Sequence, residues 1–133
     1  MRVVPDKFSD LLKWDKKAFA HVATVGPHGE PQNNPVWFDV QDGKIRFSLT
    51  TDRQKVRNVE RDPRIALSIM DPDNPYRRLE VRGKVTGVRP DPEKKFIDLM
   101  AQKYLGTEKY PWGRPDEDRV VVEVQPEHTT AQG

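Results

Sequence analysis

The chain of 133 residues contains no cysteine, and this absence removes several classes of function at once. Thiol catalysis, thiolate metal sites and a disulfide framework all require that side chain. Long apolar runs are missing as well, because none follows the first six residues, so we expect neither a secretory signal nor a membrane span. A chain without disulfides fits a reducing compartment, and we predict a cytoplasmic protein.

An excess of one charge is also lacking, since the formal net charge is only +2 although 33% of the residues are charged. This balance argues against a general nucleic-acid binder. The three histidines (His21, His28 and His128) do not share a helix or strand at ligand spacing, so no metal site is predicted. No acid–base pair or Ser-His-Asp arrangement is evident, and no catalytic residue is assigned.

Glycine is absent between Gly43 and Gly83, which excludes a glycine-rich phosphate loop and a Rossmann fingerprint there. Alternating apolar residues instead predict six strands, over 18–25, 32–40, 44–49, 65–69, 79–85 and 120–124. Asp42-Gly43 predicts a tight hairpin between the second and third strands. We therefore predict one mainly β domain over 1–133, a six-stranded antiparallel barrel with peripheral helices.

Three helices are predicted around this barrel. The first covers 6–13, and the second follows Thr51 or Asp52 as N-cap and runs through Arg61. The third has Pro92 in its first turn and packs its apolar stripe on the barrel. Because the second helix has only a thin apolar stripe, we expect most of it to be exposed.

The densest group of polar residues lies where the third strand leads into the second helix. A phosphate cradle is predicted there, because hydroxyls and cationic side chains meet unpaired backbone N–H groups. The residues predicted to bind an anionic group are Ser48, Thr50, Thr51, Arg53, Gln54, Lys55 and Asn58. We expect Lys55 to be accessible and outside the core. A plain N-cap followed by a solvated basic helix is the alternative that these residues leave open.

A second candidate feature is a run of amides beside a proline, Gln32-Asn33-Asn34-Pro35. These amides offer donors and acceptors to a heteroaromatic ring, and Trp37 is either a wall for such a ring or part of the cover of the barrel. A cradle without an acid–base pair suits an enzyme whose cofactor carries the chemistry.

The order of motifs resembles the pyridoxamine-phosphate-oxidase-like split-barrel superfamily and, within it, the small F420-dependent reductases of actinobacterial type. The resemblance runs over nearly the whole chain. The segments that carry it are 20–25, 29–32, 34–38, 50–58, 61–64, 79–85 and 119–124. The chain departs from true pyridoxamine phosphate oxidases after its last strand, where only seven residues follow in place of a basic segment.

The resemblance implies a homodimer with two cofactors bound at the subunit interface, either the deazaflavin coenzyme F420 or, as the alternative, FMN. It places the cofactor phosphate on the predicted cradle, and the ring beside Asn34, Pro35, Val36 and Trp37. It also implies that Met70 and the segment 76–79, with Tyr76, Arg77 and Leu79, close the site from either subunit. The implied activity is hydride transfer from reduced F420 to an electron-poor acceptor. The alternatives are an FMN oxidoreductase and a non-catalytic F420 carrier.

Overall fold

Burial alternates along the strands as the sequence predicts, so that one face of each strand meets the core. In the strand that begins after Asp42-Gly43, the side chains of Ile45 and Phe47 are fully buried and Leu49 nearly so. Both hairpin residues have positive φ, at 53° and 77°, which is the geometry of the favoured two-residue turns. The hairpin prediction is confirmed.

The computed structural model describes residues 3–133, and in that range seven strands form one antiparallel sheet. The strands are β1 Ala20–Val25, β2 Pro31–Val36, β3 Asp39–Gln41, β4 Lys44–Thr50, β5 Arg64–Asp71, β6 Asn74–Pro90 and β7 Arg119–Gln132. The helices are a 3-10 helix over Asp6–Leu12, α1 Gln54–Arg61 and α2 Lys95–Leu105. The sheet order is β2-β1-β5-β6-β7-β4-β3. The mainly β, antiparallel fold with peripheral helices is confirmed, with one more strand than predicted.

The predicted second strand over 32–40 is wrong, because the chain leaves the sheet at Trp37 and Phe38. The backbone of Phe38 bonds to side chains of α2 instead of to a neighbouring strand. Its N–H donates to the hydroxyl of Tyr104, and its carbonyl oxygen accepts from the ammonium of Lys103. The two pieces, β2 and β3, consequently lie at opposite ends of the sheet order.

The last strand does not end at Val124, before Gln125-Pro126, as predicted, because β7 continues along β6 to Gln132. Proline cannot donate a ladder hydrogen bond, and the pair is accommodated by a shift in register between Arg82 and Gly83. A Cβ on Gly83 would lie 2.1 Å from the carbonyl oxygen of Gln125, so this close approach of two backbones requires glycine.

The second helix begins later than predicted, at Gln54, and Arg53 occupies the N-cap position without a side-chain cap. Thr50 still belongs to β4, and the N–H of Thr51 donates to the carbonyl oxygen of Asp118, 2.9 Å away. The expectation of a mostly exposed helix is also wrong. Four of its residues are buried, namely Lys55, Val56, Asn58 and Val59.

Helix α2 begins at Lys95, and Pro92 lies in the turn before it rather than in its first turn. The carboxylate of Asp91 accepts from the N–H groups of Lys95 and Phe96, at 3.1 and 3.0 Å, and so satisfies two free donors of the first turn. The predicted apolar stripe is confirmed, because Phe96, Met100 and Tyr104 are buried against Trp37 and Val121. No helix among residues 3–133 is long and apolar enough to cross a membrane.

Candidate functional site

A cavity of about 490 Å³ opens where β4 passes into α1, and α2 and the segment before β7 form its other walls. Eight of the predicted site residues line it: Asn34, Pro35, Val36, Trp37, Ser48, Thr50, Arg53 and Lys55. The structure therefore brings the predicted cradle and the predicted ring wall together in one space. Seven further lining residues were not predicted for the site: Phe19, Leu49, Ile97, Met100, Tyr110, Trp112 and Arg119.

The cavity is cationic where α1 begins, and Lys55 is its most buried charge. Only 3% of Lys55 is exposed, so the expectation of an accessible lysine is wrong. Burial, and after it the positive charge of Arg53, lowers the pKa of Lys55 to about 8, and no acidic side chain of residues 3–133 offsets either effect. A buried ammonium without a counter-ion is costly, and an anionic ligand would stabilise it. Arg53 is itself held towards the cavity, with its Nε donating to Thr50 Oγ1 at 3.3 Å.

Arg119 provides a third positive charge, from the first residue of β7. Its Nη1 donates to Ser48 Oγ at 3.2 Å, and its Nε lies 3.2 Å from Glu117 Oε1. Its guanidinium carbon also stands 4.9 Å from the ring centroid of Tyr110, within cation–π range. Glu117 balances Arg119, and no acidic side chain of residues 3–133 balances Lys55, so the uncompensated charge of the cavity comes from Lys55.

Asn34 presents an unpaired polar atom to the same cavity. Its Oδ1 is buried and has no hydrogen-bond partner among the described residues. Leaving a buried acceptor unpaired costs about 1–3 kcal/mol. Since Asn34 lines the cavity, a ligand with an N–H or O–H group at this position would remove that cost.

Aromatic rings form the rest of the wall. Trp37 contacts the two rings of the segment before β7, Tyr110 edge-on with centroids 5.9 Å apart and Trp112 at 6.3 Å. Behind it, Trp37 stacks on Tyr104 with centroids 5.1 Å apart and planes 7° from parallel. Trp112 is 63% exposed and Phe19 is 49% exposed, so the mouth of the cavity carries open aromatic faces. Such faces favour a planar ligand.

Three predicted residues of the cradle lie beside the cavity and do not line it. Asn58 is fully buried and uses all four of its hydrogen-bonding positions within the protein, and one of them holds the amide of Gln54 at 2.9 Å. Thr51 bonds through its backbone to the segment before β7. Their predicted contact with a cofactor stays a prediction.

The four residues predicted to close the site lie away from this cavity within the chain. Tyr76 is 78% exposed and Met70 is 38% exposed, on the hairpin that joins β5 and β6. Arg77 instead pairs with Asp10 and Asp71, and Leu79 is part of the core. Whether they approach a site of a second subunit stays a prediction.

Some of the lining residues that sequence reasoning missed carry recognisable signals. Tyr110 and Trp112 are two aromatic residues in a loop with proline and glycine, where a buried-core role is uncommon. Arg119 directly precedes the apolar alternation of β7, at a strand end. No comparable signal marks Phe19, because an apolar residue before a strand is ordinary.

Together these groups fit a ligand with an acidic end and a planar, hydrogen-bonding ring. None of the fifteen lining residues is acidic, and hydroxyls accompany the cations at Ser48 and Thr50. The unpaired oxygen of Asn34 and the aromatic wall suit the ring, while Arg53 and Lys55 suit phosphate or carboxylate groups. A phosphorylated flavin or deazaflavin has both parts.

Comparisons with known proteins agree with this geometry. The family model described as pyridoxamine 5'-phosphate oxidase matches residues 4–133. The solved structure of an F420 reductase is 41% identical, with a TM-score of 0.85, over 96% of this chain and 98% of that one. A conserved hypothetical protein from Mycobacterium tuberculosis shares the fold, with a TM-score of 0.71 at 22% identity over 98% of this chain and 86% of that one.

Among curated proteins, a 5a,11a-dehydrotetracycline/5a,11a-dehydrooxytetracycline reductase from Streptomyces rimosus subsp. rimosus is 34% identical over 59 residues. The match covers 41% of this chain and 42% of that protein, so the chain spans less than half the length of this relative. The split-barrel fold expected from the sequence is confirmed by the solved structures.

Proposed function

Because the chain belongs to the pyridoxamine 5'-phosphate oxidase family, which is a family of oxidoreductases, we propose that it is a reductase dependent on coenzyme F420. One observation carries the proposal: a cavity that combines the uncompensated charge of Lys55, beside Arg53, with an aromatic wall. The likeness to an F420 reductase over 96% of the chain favours the deazaflavin over FMN.

The residues that hold the cofactor divide by chemistry. Arg53, Lys55 and the hydroxyl of Thr50 bind its phosphate or acidic tail, because charge-assisted bonds are about twice as strong as neutral ones. Asn34 accepts a hydrogen bond from the ring, and Trp37 packs against it. Arg119 keeps the Ser48 hydroxyl in place through the 3.2 Å bond described above.

When bound, reduced F420 supplies a hydride to an electron-poor small organic acceptor. The protein's own residues bind, orient and exclude water. Trp37, Tyr110 and Trp112 restrict access from the aromatic side, and Ile97 and Met100 of α2 add apolar surface. Holding two reactants in contact removes much of the entropic barrier, so the cavity needs no ionisable acid or base of its own for this step. Solvent supplies the proton of the product.

We further propose that two copies of the chain associate and that the cofactor lies at their interface. Exposed large side chains at Tyr76 and Met70 support an apolar contact surface on the β5–β6 hairpin. Sedimentation at micromolar concentration should give twice the chain mass, and a monomer would contradict the proposed interface. The cytoplasmic location stays a prediction.

The deciding experiment is a pair of titrations of the purified protein, one with F420 and one with FMN, followed by cofactor absorbance and fluorescence. We expect micromolar or tighter binding of F420, with FMN at least tenfold weaker, which corresponds to about 1.4 kcal/mol. Tighter FMN binding would identify the protein as an FMN oxidoreductase instead.

Activity is then tested with reduced F420 and a panel of enones and quinones. Acceptor-dependent oxidation of the cofactor supports the reductase. Tight binding of F420 with no oxidation across the panel would favour a carrier. In the titrations and in the activity assay, the variant Lys55→Met is the control in which the anion site is weakened.

A further inference from the structure

Two residues of α2 that do not line the cavity make contacts that converge on its aromatic wall. Lys103 is 4% exposed and Tyr104 is 7% exposed, and we call this buried pair the polar hub. A lysine on the apolar stripe of a helix is unusual, because burial of an ammonium is costly unless it is paired or hydrogen-bonded. Its position therefore calls for a specific reason.

The hydrogen bonds of Lys103 are complete only when the side chain is an ammonium. Its Nζ donates to the carbonyl oxygens of Lys16 and Phe38, at 3.0 and 3.1 Å, and to the hydroxyl of Tyr104 at 3.2 Å. Three donors meet three acceptors, so no proton of the ammonium is left over. Burial lowers the pKa of Lys103 to about 8, against the opposing charges of Asp39 and Asp15, and the group is charged at neutral pH.

The hydroxyl of Tyr104, like the ammonium of Lys103, uses all of its hydrogen-bonding capacity. It donates to the carbonyl oxygen of Ala18 at 2.5 Å and accepts from the N–H of Phe38 at 3.2 Å and from Lys103. Burial raises its pKa to about 12, so it keeps its proton for the bond to Ala18. One donor and two acceptor positions are all that a hydroxyl offers.

These bonds fall on two segments that have no strand neighbour. Residues 16–19 precede β1, and residues 37 and 38 connect β2 to β3. Each segment carries one aromatic residue of the cavity, Phe19 in the first and Trp37 in the second. The hub bonds the backbone directly before Phe19 and directly after Trp37, and so replaces the missing ladder hydrogen bonds at both places.

The ring of Tyr104 completes the arrangement. It stacks on Trp37 with planes 7° apart, and on Phe19 with centroids 5.8 Å apart and planes 20° apart. A single residue thus fixes the backbone and contacts the ring of both aromatic side chains. An apolar pair at these positions would leave the carbonyl oxygens of Ala18 and Phe38 without these partners, so the hub both satisfies backbone groups and fixes the two segments that carry Phe19 and Trp37.

We propose that Lys103 and Tyr104 are positioning residues, which set the orientation of Phe19 and Trp37 and, through them, the affinity of the cavity for a planar ring. The proposal rests on the proposed function in one respect, which is that the planar ring belongs to the proposed cofactor. None of the hydrogen bonds or ring contacts that the described residues give Lys103 and Tyr104 involves Arg53 or Lys55, so we expect the hub to act on ring binding and to leave anion binding unchanged.

The first test needs no cofactor. In protein labelled with 5-fluorotryptophan, Trp14, Trp37 and Trp112 give separate ¹⁹F NMR signals, assigned with single tryptophan-to-phenylalanine variants. Tyr104→Phe keeps the ring and removes the hydroxyl, and Lys103→Met keeps the length and removes the ammonium. We expect both to shift or broaden the Trp37 signal and to leave Trp14 unchanged.

Val81→Ala is the matched control, because Val81 is a fully buried core residue that does not line the cavity. It should lower the melting temperature and leave the Trp37 signal where it is. An unchanged Trp37 signal in both hub variants, or an equal change in Val81→Ala, would overturn the proposal. If Tyr104→Phe does not fold, Lys103→Met alone decides.

The second test compares ligands that contain the planar ring, F420 and FMN, with inorganic pyrophosphate, which resembles only the anionic part of a cofactor. We expect F420 and FMN to bind at least fivefold more weakly to both hub variants, and inorganic pyrophosphate to bind as it does to the parent. Equal losses for the ring ligands and pyrophosphate would overturn the proposal, because a general loosening explains them. Should the parent bind neither cofactor, the proposed function fails, and the ¹⁹F result still decides the hub.

Discussion

Asn58 of α1 and Thr24 of β1 are joined by a buried hydrogen bond, 3.0 Å from Nδ2 to Oγ1. The same amide group also donates to Gln32 in β2, and its oxygen accepts from Gln54 and Arg61. With both donors and both acceptor positions in use, Asn58 fixes α1 against the β1–β2 hairpin. The helix that carries Lys55 is thereby held at a set position over the cavity.

Asn58→Ala should therefore destabilise the fold by about 1–3 kcal/mol, because Thr24 and Gln32 lose a buried partner. Chemical denaturation gives the change in the free energy of unfolding. Arg57→Ala, which removes an exposed side chain of the same helix, is the control and should change stability by less than about 0.5 kcal/mol. Equal effects of the two substitutions would contradict the role assigned to Asn58.

Lys55→Met should have opposite effects on stability and on binding. Replacing a buried, unpaired ammonium by an apolar chain of similar length should raise the free energy of unfolding. Cofactor affinity should fall by about 1.5–3 kcal/mol, because one charge-assisted bond is lost. Thermal unfolding and a cofactor titration measure the two effects, and an unchanged affinity would show that Lys55 does not contact the ligand.

The stability advantage of Lys55→Met should depend on pH. The pKa of Lys55 is about 8 in the folded protein, against 10.5 for an exposed lysine, so the destabilisation of the wild type by the buried charge is complete below pH 8. Between pH 8 and pH 10.5 the unfolded chain binds one proton more than the folded protein at Lys55. Wild-type stability therefore rises with pH in this range, relative to that of the variant. Denaturation of both proteins from pH 7 to 10.5 should show the advantage shrinking, and a constant difference would argue against a depressed pKa.

Arg119 and Glu117 should show non-additive behaviour. Arg119→Met leaves the nearly buried carboxylate of Glu117 without its partner, and should cost about 1–3 kcal/mol of stability. The double variant with Glu117→Gln should recover most of that loss. If Arg119 also serves the site by holding Ser48, cofactor affinity stays reduced in the double variant. Recovery of both stability and cofactor affinity in the double variant would show that Arg119 contributes only through its ion pair with Glu117.

Two glycines of β6 should respond differently to alanine. At Gly83 a Cβ would meet a backbone oxygen at 2.1 Å, whereas at Gly87 its nearest contacts are side-chain atoms at 3.5 Å or more. Gly83→Ala should lower the melting temperature strongly, because the β6–β7 pairing must open to admit the methyl group. Gly87→Ala should be neutral or slightly stabilising, since alanine loses less backbone entropy on folding. Melting curves of the two variants make the comparison.

The fold was predictable wherever local pattern decides the structure. The Asp42-Gly43 turn and the buried alternation of Ile45, Phe47 and Leu49 follow from dihedral preference and period alone. The break at Trp37 and Phe38 was not predictable, because it depends on bonds to Lys103 and Tyr104, more than sixty residues away. Apolar alternation continues through the break and carries no sign of it.

The candidate site shows the same division. The hydroxyls and cations between Ser48 and Lys55 predict an anion site by composition, and the structure gathers most of them. The burial of Lys55 could not be read from α1, because its exposure is set by what packs over the helix from elsewhere in the chain. Arg119 reaches the cavity through the pairing of β7 with β4, and Tyr110 is held on α2 by the bond from its N–H to Asp98.

That pairing has a consequence for the order in which the protein folds. Thr50 at the end of β4 is paired with Arg119, and the lining residues of the cavity extend from Phe19 to Arg119. Contacts between such distant positions form late, since a long loop must close first. During synthesis on the ribosome the hairpins β1–β2 and β3–β4 can form early, but the cavity has no complete wall until β7 has emerged and paired. A ligand of this cavity should therefore bind after this pairing, and stabilise the finished barrel rather than the nascent chain.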